Sequence, residues 1–220
     1  ITNPNASVRV WLPVPLIQDT DYYQHIDHSW TANYKDVQNI QYDSLGTGML
    51  FAEWADDQKA PNLEFISQFK TRNRQIHFSK PAKVKEDSEV LEQFRKPSRL
   101  IKTDGIVAET AQKIVNGKKN ETDKARAIYE WIVENTYRDP KVKGCGVGDI
   151  SSMLQTQNLG GKCADLNGLF VGLARAAGLP ARDVYGIRCA KSAEFNCLGR
   201  ADDITGAQHC RAEVYLSDFG

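Results

Sequence analysis

The sequence predicts an α+β fold in which a helix bearing a reactive cysteine packs on an antiparallel sheet, preceded by a small β-sandwich-like domain. Three observations carry that reading. Leu166, Leu169, Phe170, Leu173, Ala174 and Ala177 recur on one helix face, behind the Gly160-Gly161 corner and ahead of Gly178 and Pro180. Apolar residues alternate through the first part of the chain, as in Val8, Val10 and Leu12, or Leu63 and Phe65. After the helix, two Val- and Tyr-containing segments at 181–190 and 209–216 read as paired strands.

Composition bounds what such a chain can do. Its 220 residues carry 28 basic and 28 acidic side chains, so no net charge points to nucleic acid or an anionic membrane. Hydrophobic content of 41% with four tryptophans allows a sizeable core. No apolar run approaches the roughly 18 residues of a membrane span. The chain begins at Ile1 without methionine, which suggests processing or trimming and leaves an upstream export signal open. The compartment is open too, with periplasm or secretion ahead of the cytoplasm. The expected division is a β-rich domain at 1–82, a linker at 83–104 and a core domain at 105–220.

Taken in order, Val8 to Leu12 form a strand ended by Pro13 and Pro15. Tyr22 to Trp30, polar and aromatic, is expected to be a loop with a partly extended end. His25 and His28 lie in it, and without a further ligand nearby they read as surface histidines rather than a metal pair. Lys35 to Tyr42 reads as a strand, Ser44 to Gly48 as a turn, and Met49 to Trp54 as the hairpin partner. Leu63 to Phe78 is a further strand, with His77 a structural residue inside it. Pro81, the mixed charges from Lys83 to Glu92, and Pro97 suggest an extended linker with a turn of helix.

Helices follow. Ile106 to Val115 is short and stops near Gly117. Asn120 caps the next, with Asp123 complementing its start. Ala125, Ile128, Tyr129, Ile132 and Thr136 form its inner face, and Trp131 covers the rim. The patterns Asn5-Ala6-Ser7 and Asn120-Glu121-Thr122 match glycosylation acceptors but are too short to weigh. Gly144 to Gly148 is glycine-rich, yet Asp149 stands where a phosphate loop needs lysine and a hydroxyl. Asp149 instead starts a short helix through Leu154. Gln157 is an oxyanion-donor candidate set against a solvated loop residue, and the second reading is preferred. Residues 191–208 read as a polar excursion, and Asp218 to Gly220 as a turn.

The chemistry centres on cysteine. None of the pairs among Cys145, Cys163, Cys189, Cys197 and Cys210 has CxxC spacing, so a zinc ribbon or thioredoxin-like site is not expected. Apart from Cys163, the other four allow two disulfides by three pairings, or free thiols, and both readings stand. Cys163 occupies the first turn of its helix, where unpaired N–H groups and the dipole favour a thiolate. Buried apolar filler is the usual role of an unpaired cysteine. The glycine corner and helix start favour a nucleophile, which needs a base. His209, opening the last strand, is that candidate, against the ordinary role of a structural strand histidine.

Gly161-Lys162-Cys163-Ala164-Asp165, then Arg175-Ala176-Ala177-Gly178-Leu179-Pro180-Ala181-Arg182 with Tyr185-Gly186, then His209 with Ala212-Glu213-Val214-Tyr215, occur in an order and spacing that resemble the transglutaminase-like core superfamily. The resemblance covers residues 105–220. It implies a papain-like α+β core with a Cys-His-Asp triad, Cys163 as nucleophile and His209 as base. The family's aspartate is expected on a strand beyond Gly220, since Asp218 belongs to the turn and Glu213 lies too far along the strand. The chain alone is accordingly expected to be nearly inactive. Bacterial members commonly carry a β-rich segment before the core, as residues 1–80 loosely do.

The implied activity is acyl transfer or hydrolysis at peptide or carboxamide bonds through a Cys163 thioester, with hydrolysis favoured over cross-linking. The substrate is a peptide or protein. No cofactor or metal is required, and no calcium-type oxygen loop is found. Neither nucleic acid nor membrane insertion is expected, and the oligomeric state is open. A non-catalytic binding module keeping the fold is the alternative, and arylamine acyl transfer from a thioester is a rival enzyme reading. Cys163 should alkylate with iodoacetamide below pH 7 faster than the other four cysteines. Site-resolved mass spectrometry finding Cys163 no faster than Cys210 would remove it as the nucleophile.

Overall fold

In the computed structural model, which describes residues 7–16, 18–33, 36–42, 47–55, 60–82, 84–187 and 208–220, the chain divides into two units, Ile1–Ile76 and His77–Gly220. The first unit is built on strand alternation. β1 (Val8–Val14), β4 (Gly48–Trp54) and β3 (Asp36–Tyr42) form an antiparallel sheet in the order β1-β4-β3. Leu50, Ala52 and Trp54 of the central strand are buried, and Leu12 and Val10 lie opposite Leu50 and Ala52. On the other face Trp11 and Phe51 pack with ring centroids 5.0 Å apart, and Arg9 Nε donates to Glu53 Oε1 at 2.7 Å. Pro13 falls inside β1, an edge strand, where a missing N–H is tolerated.

The stretch expected to be a loop at Tyr22 to Trp30 is largely strand β2 (Tyr23–Ala32), paired antiparallel with β5 (Leu63–Thr71). Its composition is polar, but its aromatic residues find cross-strand partners: His25 lies opposite Phe69 and Trp30 opposite Phe65. Tertiary pairing thus overrides local propensity. His25 and His28 are half-buried, with ring centroids 4.3 Å apart in an edge arrangement, rather than surface histidines of a loop. β5 ends at Thr71, so His77 and Phe78 lie outside it. The pairing stops where β2 begins: Arg72 N–H still reaches the Tyr22 carbonyl at 3.1 Å, and Arg74 Nε then turns to Asp21. Asn33 Oδ1 accepts from both Trp54 Nε1 (3.1 Å) and Asn62 N–H (2.7 Å), joining the two sheets of this unit.

The second unit contains α1 (Ser88–Gln93), α2 (Gly105–Ile114), α3 (Glu121–Asn135), β6 (Tyr137–Arg138), α4 (Ile150–Thr156), β7 (Gly160–Gly161), α5 (Cys163–Ala176), β8 (Ala181–Ile187) and β9 (Gln208–Val214). β6 pairs parallel with β7, and β8 antiparallel with β9. The core gathers around α5. Leu169, Val171, Leu173 and Ala174 are buried with Val107 and Ala111 of α2, Ala125 and Ile128 of α3, Ile150 and Leu154 of α4, and Ala181 and Leu216. This is the antiparallel α+β arrangement the sequence predicted. Among the described residues no helix is long and apolar enough to cross a membrane.

Asn120 caps α3 as expected, its Oδ1 accepting from Asp123 N–H at 2.7 Å. Tyr129, expected on the inner face, is 61% exposed. The buried stripe follows Ala125 and Ile128, and Trp131 packs half-buried at the core's edge. Residues 83–104, read as a linker, belong to the second unit. Phe94 C=O accepts from Ala181 N–H (3.1 Å), Arg95 Nε donates to Gly178 C=O (3.1 Å), and Arg175 Nη1 to Lys96 C=O (2.9 Å). The charged composition marks an outward face, while the backbone acceptors are held by the core. Residues 188–207, which include the end of the expected 181–190 strand and most of the polar excursion, lie outside the described residues.

Gly172 lets α5 approach α4. A Cβ there would lie 2.1 Å from Ile150 Cδ1 and 3.3 Å from the Lys102 carbonyl oxygen. Ile150 is fully enclosed, so it cannot swing away. Gly172→Ala is expected to cost about 1–3 kcal/mol, as overpacked cores do. Urea unfolding showing an unchanged midpoint would contradict this packing.

Candidate active site

A glycine corner brings the chain into α5. A Cβ at Gly160 would lie 2.4 Å from Tyr137 Cζ, and one at Gly161 only 2.5 Å from Asp165 Cβ. Neither position accommodates a side chain without displacing its neighbour. Lys162 is the N-cap and Cys163 the first helical residue.

Asp165, only 7% exposed, fixes what surrounds that start. One carboxylate oxygen accepts from Lys162 N–H at 2.9 Å. The other accepts from Val147 N–H at 2.9 Å and Gly148 N–H at 2.8 Å. The glycine-rich loop 144–148 therefore cradles an anion, and the anion is a side chain of the same molecule. Gly146, at φ +100°, is pressed against it: a Cβ would sit 2.0 Å from Asp165 Oδ2. The Cys145 carbonyl accepts from Ala164 N–H at 2.8 Å, so this loop also caps the helix.

Asn167, one turn along, ties the helix start to β9. Its Nδ2 donates to the Cys163 carbonyl at 2.8 Å and to the Cys210 carbonyl at 3.3 Å, and its Oδ1 accepts from Ala212 N–H at 3.0 Å. The loop, the helix and the strand each contribute a cysteine. The sulfurs of Cys145, Cys163 and Cys210 all lie within 4.8 Å of one another, as half-buried free thiols. Two of the cysteines considered for disulfides are thus unpaired, while Cys189 and Cys197 lie outside the described residues.

The electrostatics of the cluster follow from burial and crowding. Burial, then the hydrogen bond and charge shared with Cys163, push the Cys210 thiol up to about 12. Its bond to Cys163, then burial, raise the Cys145 thiol. Both therefore remain protonated near neutral pH, and the Cys145 thiol donates to Gln208 Oε1 at 3.7 Å. Tyr185, opposite Cys210 in the β8–β9 ladder, is 62% exposed, and its hydroxyl lies 3.5 Å from Asp183 Oδ2. Burial also raises the Asp183 carboxyl, with Arg175 opposing the shift. One Asp183 oxygen is enclosed without a partner.

His209 lies beside Cys210 in β9 and opposite Gly186. Successive strand side chains leave opposite faces, so with the Cys210 thiol beside Cys163, His209 takes the other face. Among the described residues no hydrogen bond joins Cys163 to His209, and the Cys163 Sγ is 3.9 Å from the Cys145 carbonyl oxygen. Among the described residues, the buried His209 Nε2 has no hydrogen-bond partner. Glu213 is occupied by Arg182 at 2.8 Å and Arg211 at 2.6 Å. Asp218 sits in the final turn, where its carbonyl accepts from Ala82 N–H at 2.8 Å. Gln157 closes α4 in a left-handed conformation, φ 57°, with Nε2 donating to the Leu154 carbonyl at 2.7 Å. The residue is exposed, in keeping with the solvated reading preferred for it. Sequence reasoning missed Asp165 and Asn167 as organising residues. The first had a signal, an acid three residues after the N-cap.

A model of the transglutaminase-like superfamily matches residues 108–220. Among curated proteins, an uncharacterized protein of Haemophilus influenzae is 35% identical across 98% of this chain and 62% of its own length. The chain thus spans less than two thirds of that relative. Among solved structures, a candidate cysteine protease of Cytophaga hutchinsonii aligns with a TM-score of 0.65 at 18% identity, over 96% of this chain and 68% of that one. The periplasmic domain of TgpA from Pseudomonas aeruginosa aligns at 0.52 and 13% identity, over 98% and 67%. These likenesses show the fold.

Asp165→Asn keeps the shape but turns an NH2 towards a backbone N–H. One buried donor loses its acceptor, which is expected to cost about 1–3 kcal/mol and to loosen residues 145–148. Denaturant unfolding together with amide exchange at Val147 and Gly148 reads both effects. Unchanged protection at these two amides would show that the carboxylate does not hold the loop.

Proposed function

Because the chain belongs to the transglutaminase-like superfamily, we propose that it is a thiol-dependent acyl-transfer enzyme that hydrolyses peptide or carboxamide bonds, with Cys163 as nucleophile and His209 as base. The observation that carries this reading is the placement of the Cys163 thiol on the first residue of α5. There the helix end can stabilise a thiolate.

In the proposed reaction His209 takes the Cys163 thiol proton and the sulfur attacks the carbonyl carbon. The Cys163 backbone N–H, in the first turn where helices leave donors unpaired, faces the developing oxyanion. Collapse breaks the C–N bond, and protonated His209 gives its proton to the departing amine. Water then attacks the thioester with His209 taking its proton, and the acid and the free thiol are released. An amine replacing water gives cross-linking instead. For His209 to serve, the start of β9 must turn by one residue so that the imidazole replaces Cys210 beside Cys163. The absence of that contact here favours a second reading, a peptide-binding module without catalysis.

The test is a panel of fluorogenic peptides and glutaminyl amides, with and without a primary amine. Cys163→Ala is expected to abolish turnover. His209→Ala is expected to lower kcat/KM by roughly 10²–10⁴-fold, with little change in KM and loss of the pH limb it supplies. Peptide binding that survives in Cys163→Ala, with no turnover even when the strand expected beyond Gly220 is supplied, would establish the binding module instead.

A further inference from the structure

We propose that the thiols of Cys145, Cys163 and Cys210 together form a binding site for a thiophilic divalent cation of the zinc class. Their sulfurs converge from a loop, a helix start and a strand, all within 4.8 Å of one another. A zinc–sulfur bond of about 2.3 Å in tetrahedral geometry sets neighbouring sulfurs roughly 3.8 Å apart. The cluster therefore needs at most a contraction of about 1 Å to close on an ion.

The donor set selects the cation. Sulfur disfavours calcium and magnesium, which take oxygen ligands, and favours zinc and its softer neighbours. Three protein ligands leave a fourth position for water, an arrangement typical of accessible rather than closed structural sites. Each thiol is half-buried, which leaves a path for entry. As three metal–sulfur bonds form, three S–H protons pass to solvent, leaving one net negative charge on the complex of a divalent ion.

The platform is held from behind. The Cys145 loop is pinned through Val147 and Gly148 to Asp165, and Asn167 bonds the carbonyls of Cys163 and Cys210. Such backbone anchoring keeps ligands oriented before the ion arrives. CxxC spacing could not reveal the site, because its three ligands come from three separate segments.

Bound there, the ion would occupy the sulfur proposed to attack substrate, so zinc would act as a reversible inhibitor. That consequence rests on the reading of Cys163 as nucleophile, whereas binding itself does not.

The experiment uses metal-free protein kept reduced with a phosphine, titrated with zinc against a chromogenic chelator. Cadmium serves as a second probe, read by its thiolate ultraviolet band. One zinc per chain is expected. Cys145→Ser and Cys210→Ser should each weaken binding at least tenfold, with circular dichroism checking each fold. The double variant Cys189→Ser, Cys197→Ser should bind as the unsubstituted chain does. No uptake in competition with the chelator overturns the site. Uptake unchanged by both Cys145→Ser and Cys210→Ser does the same. In the activity arm, zinc should inhibit turnover reversibly, and at least tenfold less potently in Cys210→Ser. Zinc uptake without turnover, even when the strand expected beyond Gly220 is supplied, would sink the enzyme reading alone, and turnover without uptake would sink the metal site alone.

Discussion

The Asp165 carboxylate is the contact on which the rest of the site depends. It is buried and accepts from the N–H groups of Lys162, Val147 and Gly148. Hydrogen bonds to a charged group contribute about 1.5–3 kcal/mol each, and a buried carboxylate without them is expensive. The loop and the helix start therefore come as one piece. Glycines at 146 and 161 are consequences: each lies where a Cβ would strike the Asp165 side chain. Placing Cys145 above Cys163 follows from the same anchor, through the bond from Ala164 N–H to the Cys145 carbonyl.

Asn167 extends that rigidity to the strand. Its amide spans the Cys163 carbonyl, the Cys210 carbonyl and the Ala212 N–H, satisfying polar groups that a bare helix–strand contact would leave unpaired. Three thiols are thereby brought together on backbone that is already hydrogen-bonded. Crowding and burial then keep Cys145 and Cys210 protonated, so the cluster can exist without three adjacent negative charges.

Much of this was legible in the sequence where the period was long and the stops were sharp. The α5 face between Gly161 and Gly178, the Asn120 cap and the β8–β9 pair all follow from spacing alone. The misreadings share one physical cause, a partner distant in sequence. β2 is polar enough to pass for a loop until Phe65 and Phe69 stand opposite it. Residues 83–104 look like a tether until their carbonyls meet Arg175 and the Ala181 N–H. Tyr129 sits one position off the buried stripe of α3, an offset that helical spacing does not resolve. The cysteine cluster has no local signature, because its members meet only after the chain has folded.

His209 and Cys210 raise the sharpest question about the site, and strand geometry frames it. The period of two allows only one of these neighbours to face Cys163 at a time. With Cys210 inward, as here, the site holds three sulfurs, and the buried Nε2 of His209 has no partner among the described residues. A turn of the strand start would bring that nitrogen to the Cys163 thiol. The same turn withdraws Cys210 and leaves two sulfurs, too few for the proposed ion. The proposed catalytic arrangement and the proposed metal-holding one are therefore alternatives of a single backbone segment. An ion bound to all three thiols would oppose catalysis in two ways: it would occupy the nucleophile and hold the base on the far face of the strand.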